Sequence, residues 1–161
     1  MAIQMTSVAG LATIVLDQAD KQYVLDMEEL KQFNRITQEL ADDASVRVVL
    51  LRAKGAMFGA GGDLKCFQAQ HALHSQAPEL LAQSAKFFHT ALLRLHNLPA
   101  IVVAQVHGAV AGSSLSLMNV ADYVVAAKAT RFNLAYARIG ACPDSGASWF
   151  LPRLVGSRKA L

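Results

Sequence analysis

Apolar residues cluster in short, nearly continuous runs at residues 11–16, 46–52, 101–106 and 121–126, each rich in Val, Ile, Leu or Ala. Runs of this length, bounded by polar or glycine-rich stretches, predict buried strands. Between them the apolar period lengthens to that of a helix. Leu30, Phe33, Ile36, Thr37 and Leu40 recur at helical spacing and predict a helix from Met27 to about residue 41. Asp26 is its expected N-cap, with Glu29 placed to complete a capping box. A second amphipathic helix is predicted over 79–96, with Leu80, Leu81, Ala85, Phe88, Leu92 and Leu95 inward. A third helix runs through 115–120, a short strand is expected near 131–133, and further helices start near Ala147 and after Gly156-Ser157. Strand alternating with helix in this way implies an α/β fold whose strands pair in parallel through right-handed crossovers.

Two of the strands end in runs of small residues. Strand 46–52 leads to Phe58-Gly59-Ala60-Gly61-Gly62-Asp63-Leu64-Lys65, and strand 101–106 leads to His107-Gly108-Ala109-Val110-Ala111-Gly112-Ser113-Ser114. Glycines let the backbone turn sharply and let a ligand approach without meeting a side chain. Where such a turn opens a helix, amide N–H groups point outward and suit negative charge, whether a phosphate or a carbonyl oxygen becoming an oxyanion. A plain strand-to-helix turn is the competing reading of either stretch alone. No G-x-G-x-x-G follows the first strand, so no dinucleotide site is predicted.

Composition narrows the class. The chain has 161 residues, 53% of them hydrophobic, enough for one globular domain over residues 1–161. Its mean hydropathy of +0.30 is high and suggests surfaces buried against partners, or a chain cut from something larger. Charged or polar residues interrupt every apolar run before it reaches membrane-spanning length, and the N-terminus lacks a basic-then-apolar signal pattern. A cytoplasmic protein is expected. Cys66 and Cys142 fit a reducing compartment and propose no metal site. The net charge of +3 forms no stripe of the nucleic-acid type, yet does not oppose a polyanionic ligand. His71 and His74 lie three apart in a polar stretch, 66–80, read as a flap over the site, but they lack a third metal-ligating partner. His89 is read as a core or boundary residue beside Phe88, and Asp144 or Ser145 as a cap for the helix at Ala147.

The two small-residue stretches, F-x-A-G-x-D-L-K and V-x-G-x-x-x-G-[small]-[small] with Ala121-Asp122 beyond it, together resemble the crotonase superfamily, the enoyl-CoA hydratase/isomerase family. A third block from Phe132 to Gly156 is similar to it too. The resemblance implies a crotonase-like spiral core of ββα units, here shortened at the C-terminus relative to family members. There, further helices cover the acyl pocket and build trimers, so a homo-oligomer is expected. It also implies an acyl-CoA thioester as substrate, with coenzyme A entering as part of that substrate and no separate cofactor or metal, and neither nucleic acid nor membrane as partner.

By the same resemblance the thioester carbonyl sits between the backbone N–H groups of Gly62 and Ser113. Val24, in the loop Tyr23-Val24-Leu25, together with Ala60, Gly62, Asp63, Leu64, Lys65, Ser116 and Tyr136, lines the coenzyme A and substrate channel. The two glutamates of the family's hydratases fall on Ser116 and Tyr136, which leaves no carboxylate there to activate water. The block Ile139-Gly140-Ala141-Cys142-Pro143-Asp144-Ser145-Gly146 resembles the isomerase branch, in which the aspartate shuttles a proton between two carbons of the acyl chain. An enoyl-CoA isomerase is therefore expected, with Asp144 partly buried beside the acyl carbons. The family's halobenzoyl-CoA dehalogenases use an aspartate here as nucleophile with a histidine that falls on His89, and Tyr136 would then flank the ring. Binding of acyl-CoA without turnover is the third alternative.

Overall fold

The structure, a computed structural model, describes residues 3–17, 24–65, 68–69 and 77–161. In chain order the strands are β1 (Ile3–Val8), β2 (Leu11–Leu16), β3 (Val24–Leu25), β4 (Val48–Ala53), β5 (Gly61–Gly62), β6 (Ile101–Val106), β7 (Ala109–Ala111), β8 (Tyr123–Ala126) and β9 (Arg131–Asn133). The helices are α1 (Met27–Asp42), α2 (Ala77–His96), α3 (Ser113–Asn119), α4 (Ala147–Val155) and α5 (Ser157–Ala160), with a 3-10 turn at Tyr136–Ile139. The main sheet has the order β1-β2-β4-β6-β8, parallel except for β1. The short strands pair separately and in parallel, β3 with β5 and β7 with β9. Each unit thus lays a long strand in the main sheet, then a short strand outside it, then helical residues.

The core follows from the strand pattern. Ile14 and Leu16 of β2, Val49 and Leu51 of β4, and Val102, Ala104 and Val106 of β6 are buried at alternate positions. They join one cluster with Leu30, Phe33, Ile36 and Leu40 of α1 and Phe88, Leu92 and Leu95 of α2. Phe33 and Phe88 meet at 6.0 Å between ring centroids, and the Asn34 side-chain amide donates to the Phe87 carbonyl at 3.0 Å. The capping box at α1 is as expected: the Asp26 carboxylate accepts from the amides of Glu28 and Glu29, and Glu29 accepts from the Asp26 amide at 2.8 Å.

Several expectations need correction. Strand β1 was not foreseen. It pairs with β2 through a two-residue turn, Ala9-Gly10, in which both residues have positive φ, 49° and 83°. That is the primed turn whose twist suits a hairpin, with alanine where asparagine or aspartate is usual. Strand β4 begins at Val48 rather than residue 46. Leu81, expected inward, is 45% exposed. Tyr23, Cys66, His71 and His74, the side chain of Leu80, and most of the expected flap at 66–80 lie outside the described residues. Among the described residues no helix is long and apolar enough to cross a membrane. Tyr123, Val124, Val125, Phe132, Trp149 and Leu154 leave an exposed apolar surface on β8, β9 and α4.

The two small-residue stretches are brought together by backbone contacts. Phe58 and Gly59 donate to the Ala109 carbonyl at 3.1 and 3.2 Å, and Ala111 donates to the Gly59 carbonyl at 2.9 Å. Gly108 makes this approach possible. It has φ of +61°, and a Cβ there would lie 2.1 Å from the Ala56 carbonyl oxygen and 2.8 Å from the Met57 Cα. Neither backbone atom can give way without moving the turn. We expect Gly108→Ala to cost about 3 kcal/mol or more, combining left-handed strain with overpacking. Urea unfolding measures it, and a loss below about 1 kcal/mol would show that the contact is slack.

Candidate active site

The site is built where the glycine turns meet. Gly61, at φ +94°, lies so close to the second turn that a Cβ would stand 3.1 Å from the Ser113 nitrogen and 3.2 Å from the Ala111 oxygen. A Cβ on Gly112 would meet the Ala60 oxygen at 3.5 Å and the Gly61 Cα at 3.7 Å. The Gly61 amide donates to the Ser114 hydroxyl oxygen at 3.1 Å, a buried bond across 53 residues of sequence. Ser113 opens α3, so its N–H has no partner within the helix, and among the described residues no other acceptor meets it.

Gly62 and Ser113 border one cavity of about 180 Å³. Its walls are mostly apolar: Leu25, Leu30, Leu64, Phe88, Leu134 and Ile139 contribute, and Ala60 lies beside Gly62. Leu81 is exposed because it lines this opening rather than the core. Across from the two turns stand Tyr136 and Asp144. Tyr136 belongs to the 3-10 turn, entered through Ala135 at φ +64°, and Asp144 precedes Ser145 at φ +51°. Left-handed conformations at two non-glycine residues are strained, and strain of this kind gathers where side chains are held for a purpose.

The Tyr136 hydroxyl donates to the Asp144 carboxylate at 2.5 Å. This corrects the capping expectation. The N-cap of α4 is Gly146, which has no side chain to bond, and the link from Asp144 to the helix is its carbonyl, which accepts from Ala147 at 2.9 Å. The Asp144 carboxylate is therefore left to the cavity. It is more exposed than expected, whereas Tyr136 is buried. Ser116 is fully buried and stands behind the wall, its hydroxyl 3.4 Å from the Asp144 carbonyl, so it does not reach the cavity surface as anticipated. Tyr136 does border the cavity, but as a hydrogen-bond donor as well as an aromatic wall.

The remaining expected site residues divide. Ala60 and Leu64 line the cavity, whereas Val24 and Asp63 are half-buried, Lys65 is exposed, and none of these three borders it. His89 is exposed rather than packed in the core, and it faces a second groove of about 900 Å³ shared with Lys86, His96, Trp149 and Phe150. Asp144, Ser145 and Ala85 border both spaces. The structure thus brings Gly62, Ser113, Tyr136 and Asp144 to one cavity, with His89 on the far side of Asp144. Ser114 was missed as a candidate. Among the described residues no group of three or more His, Cys, Asp or Glu is placed to hold a metal ion.

Two glycine-rich turns and a carboxylate thus border one mostly apolar cavity. The enoyl-CoA hydratase/isomerase family matches residues 6–161, and the chain belongs to that family. It is 30% identical to the 1,2-epoxyphenylacetyl-CoA isomerase of Escherichia coli over 94% of this chain and 57% of the relative. It is 28% identical to 4-chlorobenzoyl coenzyme A dehalogenase-2 of an Arthrobacter species, over 94% of this chain and 54% of the relative. A solved enoyl-CoA hydratase structure from Polaromonas sp. JS666 superposes with a TM-score of 0.88 at 32% identity, covering 99% of this chain and 61% of that one. The chain therefore spans a little over half the length of the curated relatives cited.

Burial, and after it the neighbouring Asp144 carboxylate, push the Tyr136 hydroxyl above its ordinary pKa of 10.0. Tyr136 stays a proton donor throughout the neutral range. An unfolded chain releases that proton near its ordinary pKa while the folded chain keeps it. The contribution of Tyr136 to stability is therefore complete below about pH 10 and lost as pH rises beyond it. We expect Tyr136→Phe to fold, to lose about 1 kcal/mol at neutral pH, and to close that gap with the wild type above about pH 10. Urea unfolding across pH measures this, and a gap that stays constant into the alkaline range contradicts the assignment.

Proposed function

We propose that this chain is the catalytic core of an enoyl-CoA isomerase, moving a double bond of an unsaturated acyl-CoA into conjugation with the thioester. The observation that carries the reading is the placement of the Asp144 carboxylate, tethered by Tyr136, on the cavity that Gly62 and Ser113 also border. Asp144 takes a proton from the carbon next to the thioester carbonyl. The electron pair left behind moves onto the carbonyl oxygen, which becomes an enolate stabilised by the Gly62 and Ser113 amides. As the electrons return, the double bond reforms one position closer to the carbonyl and Asp144 delivers its proton to the γ-carbon. One carboxyl group serves both transfers, so no second acid is needed. Ser116 and Tyr136, at the positions where the family's hydratases carry glutamates, supply no carboxylate for activating water.

A second reading has its own support. Asp144 also borders the groove that holds His89, and a relative is named a 4-chlorobenzoyl coenzyme A dehalogenase. In that reading Asp144 attacks an aryl carbon, halide leaves, and His89 assists hydrolysis of the aryl ester. Incubation with a β,γ-enoyl-CoA and, separately, with a 4-chlorobenzoyl-CoA distinguishes the two. We expect double-bond migration with exchange of α and γ protons into deuterated water, and no chloride release. Asp144→Asn keeps an oxygen for the Tyr136 hydroxyl but accepts no proton at neutral pH, so exchange should fall by about a hundredfold or more. Exchange at the wild-type rate in Asp144→Asn removes Asp144 from the chemistry. Chloride release without migration transfers the assignment to the second reading.

A further inference from the structure

We propose that the Ser114 hydroxyl is the positioning group that sets the spacing between the two amides aimed at the thioester oxygen. The proposal rests on the reading above, in which Gly62 and Ser113 are those donors. Gly61 directly precedes Gly62, and Ser114 directly follows Ser113. The bond from the Gly61 N–H to the Ser114 Oγ, 3.1 Å long, therefore ties the peptide on one side of the first donor to the residue on the far side of the second. The backbone bonds between the two stretches lie upstream: Phe58 to His107 at 2.9 Å and to Ala109 at 3.1 Å, Gly59 to Ala109 at 3.2 Å, and Ala111 to Gly59 at 2.9 Å. Those bonds set the register of the approach. The Ser114 contact is, among the described residues, the last tie before the cavity.

Burial makes the tie stiff. Ser114 is 2% exposed and Gly61 is also buried, so water does not replace the bond when the hydroxyl is removed. The turns lie so close that a Cβ on Gly61 would stand 3.1 Å from the Ser113 nitrogen, and the Ser114 bond stops them opening. With this tie in place the two nitrogens keep one separation before any ligand arrives. Preorganised donors of this kind act on the transition state more than on the bound substrate, because the developing oxyanion is the species they fit. Loss of Ser114 should therefore lower kcat more than it raises KM.

The test is the carbonyl stretch of bound crotonyl-CoA labelled with ¹³C at the thioester carbon, read by isotope-edited infrared difference spectroscopy. Two hydrogen bonds to that oxygen lower its frequency relative to the free thioester. We expect a lowered frequency in the wild type, partial return toward the free value in Ser114→Cys, whose sulfur is a weak acceptor, and fuller return in Ser114→Ala. In steady-state isomerisation Ser114→Ala should lose about tenfold in kcat with KM within about threefold, less than deleting a donor outright. A role confined to satisfying the Gly61 N–H would reduce stability and leave the frequency in the folded protein unchanged. Equal lowering in all three proteins overturns the proposal while leaving the two-amide reading standing. No lowering in the wild type overturns both. If Ser114→Ala does not fold, the comparison of Ser114→Cys with wild type decides the matter.

Discussion

The close approach of two backbone turns, with no side chain between Gly61 and Gly112, is the constraint on which the rest of the site depends. Each turn follows a strand of the main sheet, β4 or β6, and those strands are neighbours paired in parallel. Parallel pairing points both chain exits the same way, so two turns from separate units arrive at one place. The Gly59–Val110 bridge and the bonds between Gly59, Ala109 and Ala111 then hold the turns side by side. Gly108 and Gly61 supply the positive φ and the missing Cβ that let one backbone lie on another. A site for a single oxygen atom needs donors placed to a few tenths of an ångström, and backbone packed on backbone moves less than side chains do.

The opposite wall is made differently. Tyr136 and Asp144 come from the segment after β9, where a 3-10 turn and two left-handed residues replace regular structure. No sheet holds this segment in register, and the Tyr136–Asp144 bond and the Asp144 carbonyl to Ala147 bond fasten it at the cavity. The arrangement separates two tasks. In the proposed isomerisation the amides hold charge that appears on oxygen, and the tethered carboxylate moves a proton between carbons.

Much of the scaffold was legible in the sequence because it rests on local periodicity. The apolar runs at β2, β4 and β6, the buried stripe of α1 and the Asp26–Glu29 capping box all repeat over a few residues. The turns around Gly61 and Gly112 were legible as a pair by their likeness to a known family, and the match over residues 6–161 agrees. What escaped lies in contacts between residues far apart in sequence or in unusual turn chemistry. The Ser114–Gly61 bond crosses 53 residues, and nothing in a run of small residues says which serine reaches across. Aspartate before a helix reads as a cap, but Gly146 takes that place and Tyr136 takes the carboxylate. The hairpin of β1 went unseen because Ala9-Gly10 lacks the usual asparagine or aspartate.

The account stands or falls on whether the two turns serve one oxygen. A crystal structure of this chain with a bound coenzyme A thioester measures that directly. It should place the carbonyl oxygen at about 2.7–3.2 Å from both the Gly62 and Ser113 nitrogens, with the Asp144 carboxylate beside the neighbouring carbon. A thioester whose oxygen meets only one of these nitrogens, or neither, would contradict the account.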